Sequence, residues 1–167
     1  MRAKLIVEGK EFPIEIHDPE LQKLLKLQKK TGYEKVGEGH TYSYVNTYGE
    51  IKTLDHQDFD DDKRYDEANY YSDYYVAENN ARADKLMRQL RRFAVKHREN
   101  DLKWGNEEVK KYCLIYEHDL KAIRVDYWYI SQTFGAIWFD SEESAKLAIE
   151  TFHDELIWYF TEYKDSL

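Results

Sequence analysis

The apolar positions of this chain change period along its length, and each change marks an element. Between residues 73 and 98, Ala83, Leu86, Met87, Leu90, Phe93, Ala94 and His97 follow one another at helical steps. That spacing puts them on one face of a single long helix. Lys85, Arg88, Arg92 and Lys96 recur at helical steps on the opposite face. From Tyr112 to Tyr116 and from Ile123 to Tyr129 the period falls to two: Tyr112, Leu114 and Tyr116 share one side, as do Ile123, Val125, Tyr127 and Tyr129. Such alternation predicts half-buried strands, with Ala136–Phe139 as a third. The fold class expected is α+β: an antiparallel sheet covered by helices, built around the long helix.

The same signals place the remaining elements. Lys4–Val7 and Phe12–Ile16 read as a hairpin through Glu8-Gly9-Lys10, with Pro13 marking an edge strand. Asp18-Pro19 starts a helix, Leu21, Leu24, Leu25 and Gln28 form its apolar stripe, and Gly32 ends it. Residues 1–32 are thus a β-hairpin–helix unit attached to a main domain over 33–167. Alone, that unit is too small for its own core, so it docks or pairs with a second copy. Tyr42, Tyr44 and Ile51–Leu54 suggest a hairpin around Tyr48-Gly49. The acidic run 55–67 reads as a solvated loop, and Asn69–Tyr71 as a short strand leading to a Ser72 cap.

Near the C-terminus, Asp140 and Glu143 have capping-box spacing, with Ser141 as a rival cap. That helix runs through Ala145, Ala148, Ile149 and Phe152. A last helix begins at Asp154 and buries Leu156, Ile157, Phe160 and Tyr163, leaving Trp158 and Tyr159 off the stripe as a contact surface. Tyr70-Tyr71-Ser72 echoes Trp138-Phe139-Asp140-Ser141, each an aromatic strand end, a polar cap and an Ala-containing helix. The echo is read as a shared way of turning from strand to helix.

Charge changes this picture. The 167 residues carry a net charge of −8, but residues 81–111 are basic between two acidic stretches. The lone Cys113 forms no internal disulfide. Charges throughout the first twelve residues exclude the apolar core of a signal peptide, and no apolar run reaches the roughly 20 residues of a membrane span. The expectation is a soluble protein, cytoplasmic in a host cell. Aromatic residues reach 16%, including 15 Tyr, a composition that suits contact surfaces as well as cores.

Five constellations of residues bear on chemistry. Asp58, Asp60 and Asp62 alternate like calcium-loop ligands, but Lys63 stands where the loop needs Gly and no Glu closes it, so no metal is assigned. The helix 82–98 offers Arg82, Lys85, Arg88, Arg92 and Lys96 as an alternative nucleic-acid face, against which the negative total charge acts at long range. Tyr127, Trp128, Tyr129 and Trp138 fit a base-stacking platform, or more simply a core. His97, His118 and His153 have no spacing that brings two together for acid–base work. Phosphate loops, zinc spacings and nucleophile elbows are absent from the sequence, so neither a cofactor nor an enzyme activity is assigned. The fifth constellation is an acidic surface formed by Asp55, Asp58, Asp60, Asp61, Asp62, Asp66 and Glu67, with Trp158 and Tyr159 as an aromatic one. Carboxylates on a rigid scaffold can occupy a cationic groove built for phosphates.

The opening Lys4-Leu5-Ile6-Val7-Glu8-Gly9-Lys10-Glu11-Phe12, with Ile14-Glu15-Ile16 and Asp18, resembles small acidic proteins of phages and prophages of Gram-positive bacteria. So does Gly135-Ala136-Ile137-Trp138-Phe139 with Ser141-Glu142-Glu143 and Ala145. The resemblance implies action against host defences, including anti-CRISPR inhibition of a Cas9-type nuclease. The expected function is therefore a phage-type inhibitor that binds a host defence protein through its acidic, aromatic-rich surface. The alternatives are an RNA-binding or RNA-cleaving protein working through the basic helix, or a phage accessory or structural protein that self-associates through 1–32.

Overall fold

The structure is a computed structural model describing residues 2–7, 10–15, 17–21 and 30–165. Its architecture is α+β. Strands β1 (Arg2–Val7) and β2 (Lys10–Glu15) pair antiparallel, with Pro13 opposite Lys4. A proline is tolerated there because both strands of a two-stranded ladder are edges. Asp18 begins the next segment as expected, its Oδ1 accepting from the amides of Glu20 and Leu21. The stripe residues Leu24, Leu25 and Gln28 lie outside the described residues.

The main body repeats one path twice. Strands β3 (Thr41–Val45) and β4 (Ile51–Asp55) form an antiparallel hairpin, followed by helix α1 (Phe59–Asp66) and the long helix α2 (Tyr74–Lys96). Strands β5 (Lys111–Glu117) and β6 (Ala122–Trp128) form another hairpin, followed by helices α3 (Glu142–Thr151) and α4 (His153–Thr161). In each copy the chain returns to bridge the first strand at one residue only: Tyr71 on Ser43, and Phe139 on Tyr112. Two residues later comes the N-cap, Asp73 in the first copy and Ser141 in the second. Four residues beyond the cap sits a fully buried alanine, Ala77 or Ala145, where the helix crosses its hairpin. The echo seen in the sequence is thus a repeated ββα path.

Three expectations need correction. Residues 136–139 do not form a third strand. Gly135 sits at φ +79° and the Ala136 amide closes a turn on the Thr133 carbonyl, and only Phe139 bridges β5 before the cap. Ser72 is not the cap of α2: its hydroxyl donates to Glu34, and Asp73 accepts from the amides of Tyr75 and Val76. Asp140 does not cap α3 either. It accepts from the amides of Glu99 and Asn100, tying the chain after α2 to the start of α3, and Ser141 takes the cap.

The main core lies between α2, the β5–β6 hairpin and α3–α4. Leu86, Leu90 and Ala94 meet Phe139, Ala145, Ala148 and Leu156, with Tyr112, Leu114, Ile123 and Val125 from the sheet face against them. A smaller cluster under the first hairpin joins Tyr71, Val76 and Ala77 with Tyr33, Val45 and Ile51. Lys111 is completely buried on the other face of β5. Its ammonium donates to the carbonyls of Asn106 (2.8 Å) and Tyr129, under the Trp104 ring.

Candidate functional site

The acidic run was expected to be a solvated loop. It is a helix, and its own carboxylates build it. Asp58 is the N-cap of α1, accepting from the amides of Asp60 and Asp61, and the Asp61 side chain reaches back to the Asp58 amide to complete a capping box. Asp61 is only 4% exposed. One of its oxygens takes the amides of Gln57 (2.8 Å) and Asp58 (3.1 Å); the other takes the Tyr42 hydroxyl and the Arg64 guanidinium at 2.9 Å. Burial pushes this carboxyl up, but those hydrogen bonds and the Arg64 charge outweigh burial and hold it at about 2. Tyr42 in turn stacks flat on Tyr70, with ring centroids 3.9 Å apart.

The acidic surface is therefore not one continuous patch. Asp61 is interior, a correction to its assignment as a surface contact. Asp62 pairs with Lys35 at 2.6 Å and lies 3.5 Å from His56 Nε2, and Asp60 is 3.7 Å from Lys63. Asp55, Asp66 and Glu67 remain exposed, with no ion pair among the described residues. Trp158 also needs correction. It is 8% exposed, sandwiched between Arg82, whose guanidinium lies 3.9 Å over the ring, and Tyr163. Tyr159 is half-buried and stacks on Tyr163. The off-stripe position of these two residues reflects their burial against α2 and the C-terminal end.

The basic helix behaves differently. Arg82 is committed to a bidentate pair with Glu155, at 2.9 and 3.1 Å. Lys85, Arg88, Arg91, Arg92 and Lys96 are all exposed, and among the described residues none has an ion pair or hydrogen bond. At 1.5 Å per residue the stripe from Lys85 to Lys96 runs about 16 Å. Helical spacing holds Lys85, Arg88, Arg92 and Lys96 within one side, while Leu86, Leu90 and Ala94 anchor the other in the core.

Beside this stripe α2 and the α3–α4 corner leave two adjoining hollows of about 430 and 410 Å³, sharing Gln89 and Phe152 at their border. Phe93 stacks on His97 at 3.9 Å and meets Phe152 edge-on at 5.5 Å. The His97 ring is held by Nδ1 on the Phe93 carbonyl at 2.9 Å. His97 thus belongs to the end of α2, as its C-cap, and it meets neither His118 nor His153 in ring contact or hydrogen bond. Sequence reasoning missed the part played by Phe152. The spacing runs the helix on through Phe152, whereas the helix breaks there between α3 and α4, with Phe152 partly buried against the core and lining the groove.

The platform expected of Tyr127, Trp128, Tyr129 and Trp138 divides. Trp138 is partly buried edge-on against Trp104, while Tyr127, Trp128 and Tyr129 are each more than a third exposed. Lys110 lies 4.1 Å over the Tyr127 ring. Cys113 is buried in β5, and burial pushes its thiol up to about 11, so it is no nucleophile at neutral pH. Among the described residues there is no grouping of three His, Cys, Asp or Glu that would hold a metal, and no helix long and apolar enough to cross a membrane. No family model matches the chain, and neither the curated proteins nor the solved structures contain a match to it.

Proposed function

We propose that this chain is a binding protein whose working surface is the exposed side of α2, and that its partner is a nucleic acid. One observation carries the reading: Lys85, Arg88, Arg92 and Lys96 are aligned, exposed and without anionic partners among the described residues, while of the α1 carboxylates Asp61 is buried and Asp62 is paired with Lys35. Cations left unpaired on a rigid helix are suited to phosphates, and beyond a Debye length of about 10 Å the negative total charge is largely screened. Labelled RNA followed by fluorescence anisotropy tests this. Four phosphate contacts predict a logarithmic salt slope near −3, so affinity should fall about 50-fold between 50 and 200 mM salt. Lys85→Glu with Lys96→Glu should abolish binding. Retention of full affinity by that double variant would refute the reading.

A second reading is favoured by a different feature. Phe134 is fully exposed, and Tyr127, Trp128, Tyr129 and Ile130 precede it with large exposed areas. Clustered exposed aromatics are typical anchors of protein interfaces. They support the phage-type inhibitor of a host defence protein, a Cas9-type nuclease included, with the aromatic segment in place of the acidic loop. Purified nuclease should then lose cleavage activity on adding the chain and recover it with Phe134→Ala. Undiminished cleavage throughout a titration of the chain counts against it.

A further inference from the structure

Building on the proposed nucleic-acid role, we infer that the groove between α2 and the α3–α4 corner takes a single strand, with bases on its aromatic floor and phosphates on the α2 stripe. The two hollows lie end to end along the helix, and each is within the size range that holds a small-molecule-sized group. Their walls differ in chemistry in the way a single strand requires. Lys85 lines one hollow beside the mutually paired Arg82 and Glu155, and Arg92 and Lys96 line the other, with Lys85, Arg92 and Lys96 exposed. Phe152 lies at the border, partly buried against the core, and the Phe93–His97 pair continues the floor.

Gln89 stands between the two hollows, and its amide makes no hydrogen bond to any described residue. A side-chain amide there can donate and accept at a base edge. Duplex recognition by shape and phosphates would use the cations alone and leave an aromatic floor between two helices unused. Unstacked bases, in contrast, gain from stacking on rings in a cationic groove.

The test compares a labelled oligo(U) and oligo(dT) of 12 nucleotides with a 12-base-pair duplex, at 50 mM salt, on the full chain. Variants are Phe152→Leu, which keeps apolar volume but has no ring face, and Gln89→Ala on the surface, each checked for an unchanged thermal melt. The expectation is that the single strands bind at least tenfold tighter than the duplex and that Phe152→Leu weakens them about tenfold. Gln89→Ala should weaken them less, with the duplex unaffected by either. If single strand and duplex bind alike and both variants are silent, the groove is overturned while the basic face stands. If none of the three probes binds, the nucleic-acid role itself falls.

Discussion

Removing the Asp61 carboxylate is the sharpest test of how the acidic segment is used. At neutral pH, Asp61→Ala leaves the Tyr42 hydroxyl, the Arg64 guanidinium and the amides of Gln57 and Asp58 without their acceptor. Breaking a buried charged network by deleting one partner costs about 3–5 kcal/mol. At an m-value of about 2 kcal/mol/M, the urea midpoint should fall by roughly 1.5–2.5 M. Asp60→Ala, which loses only a 3.7 Å contact to Lys63 between exposed side chains, should move it little. The carboxyl is held at about 2 in the folded chain against 3.8 ordinarily. A depressed carboxylate contributes stability above its unfolded pKa and loses it as pH falls through the folded value, so the contribution is complete above about pH 5 and fades towards pH 2. The full difference is about 2 kcal/mol, of which roughly half is gone at pH 3. The gap between wild type and Asp61→Ala should therefore narrow by about 1 kcal/mol from pH 7 to pH 3. Equal midpoints for the Asp60 and Asp61 variants, or a gap independent of pH, would show that the network is not what holds α1.

Three further perturbations separate backbone, charge and packing. Gly32 has φ +92°, and a Cβ there would sit 2.6 Å from Val76 Cγ2, so Gly32→Ala should lower the melting temperature clearly more than Gly49→Ala, where φ is +80° but the space is open. Lys111→Met removes a buried ammonium that serves two carbonyls, and it should cost about 1–3 kcal/mol in urea unfolding because Asn106 and Tyr129 lose their donor; an unchanged midpoint would mean that water replaces it. Ala77→Leu and Ala145→Leu should each destabilise by about 1–3 kcal/mol, since both alanines are wholly buried at the helix–hairpin crossing; tolerance at one site alone would break the equivalence of the two copies.

Periodicity carried most of the fold. The long helix, the hairpins at 41–55 and 111–128 and the two C-terminal helices all lay where apolar spacing put them, because each buries one face against one of the two apolar clusters. What could not be read was competition between polar groups for the same amides. Asp58 and Asp61 look like a like-charged run until the capping box and Tyr42 absorb them, and Tyr42 is 19 residues from Asp61 in sequence. The Ser72 and Asp140 assignments failed for the same reason: Glu34 and the Glu99–Asn100 amides, each remote in the chain, claimed those side chains. The basic stripe was legible from spacing alone. Its lack of partners among the described residues, and the partly buried Phe152 beside it, required three dimensions.

The repeat bears on whether those cations matter. The two copies superpose in sequence at a constant offset of 68 residues, from Tyr71 and Phe139 through Asp73 and Ser141 to Ala77 and Ala145. Carried forward, the same offset sets Arg88 against Leu156 and Arg92 against Phe160. In the second copy these positions are core: Leu156 is 2% exposed and Phe160 packs beside it. The helix breaks there at Phe152, which turns α4 inward over α2, whereas α2 runs on unbroken and keeps the matching positions in solvent. Packing therefore does not call for arginine or lysine at these places, and any polar residue would serve an exposed helix face. A run of four same-sign charges without counterions among the described residues, in a chain whose total charge is negative, raises self-repulsion locally and contributes nothing to the core. An anionic partner offsets that cost.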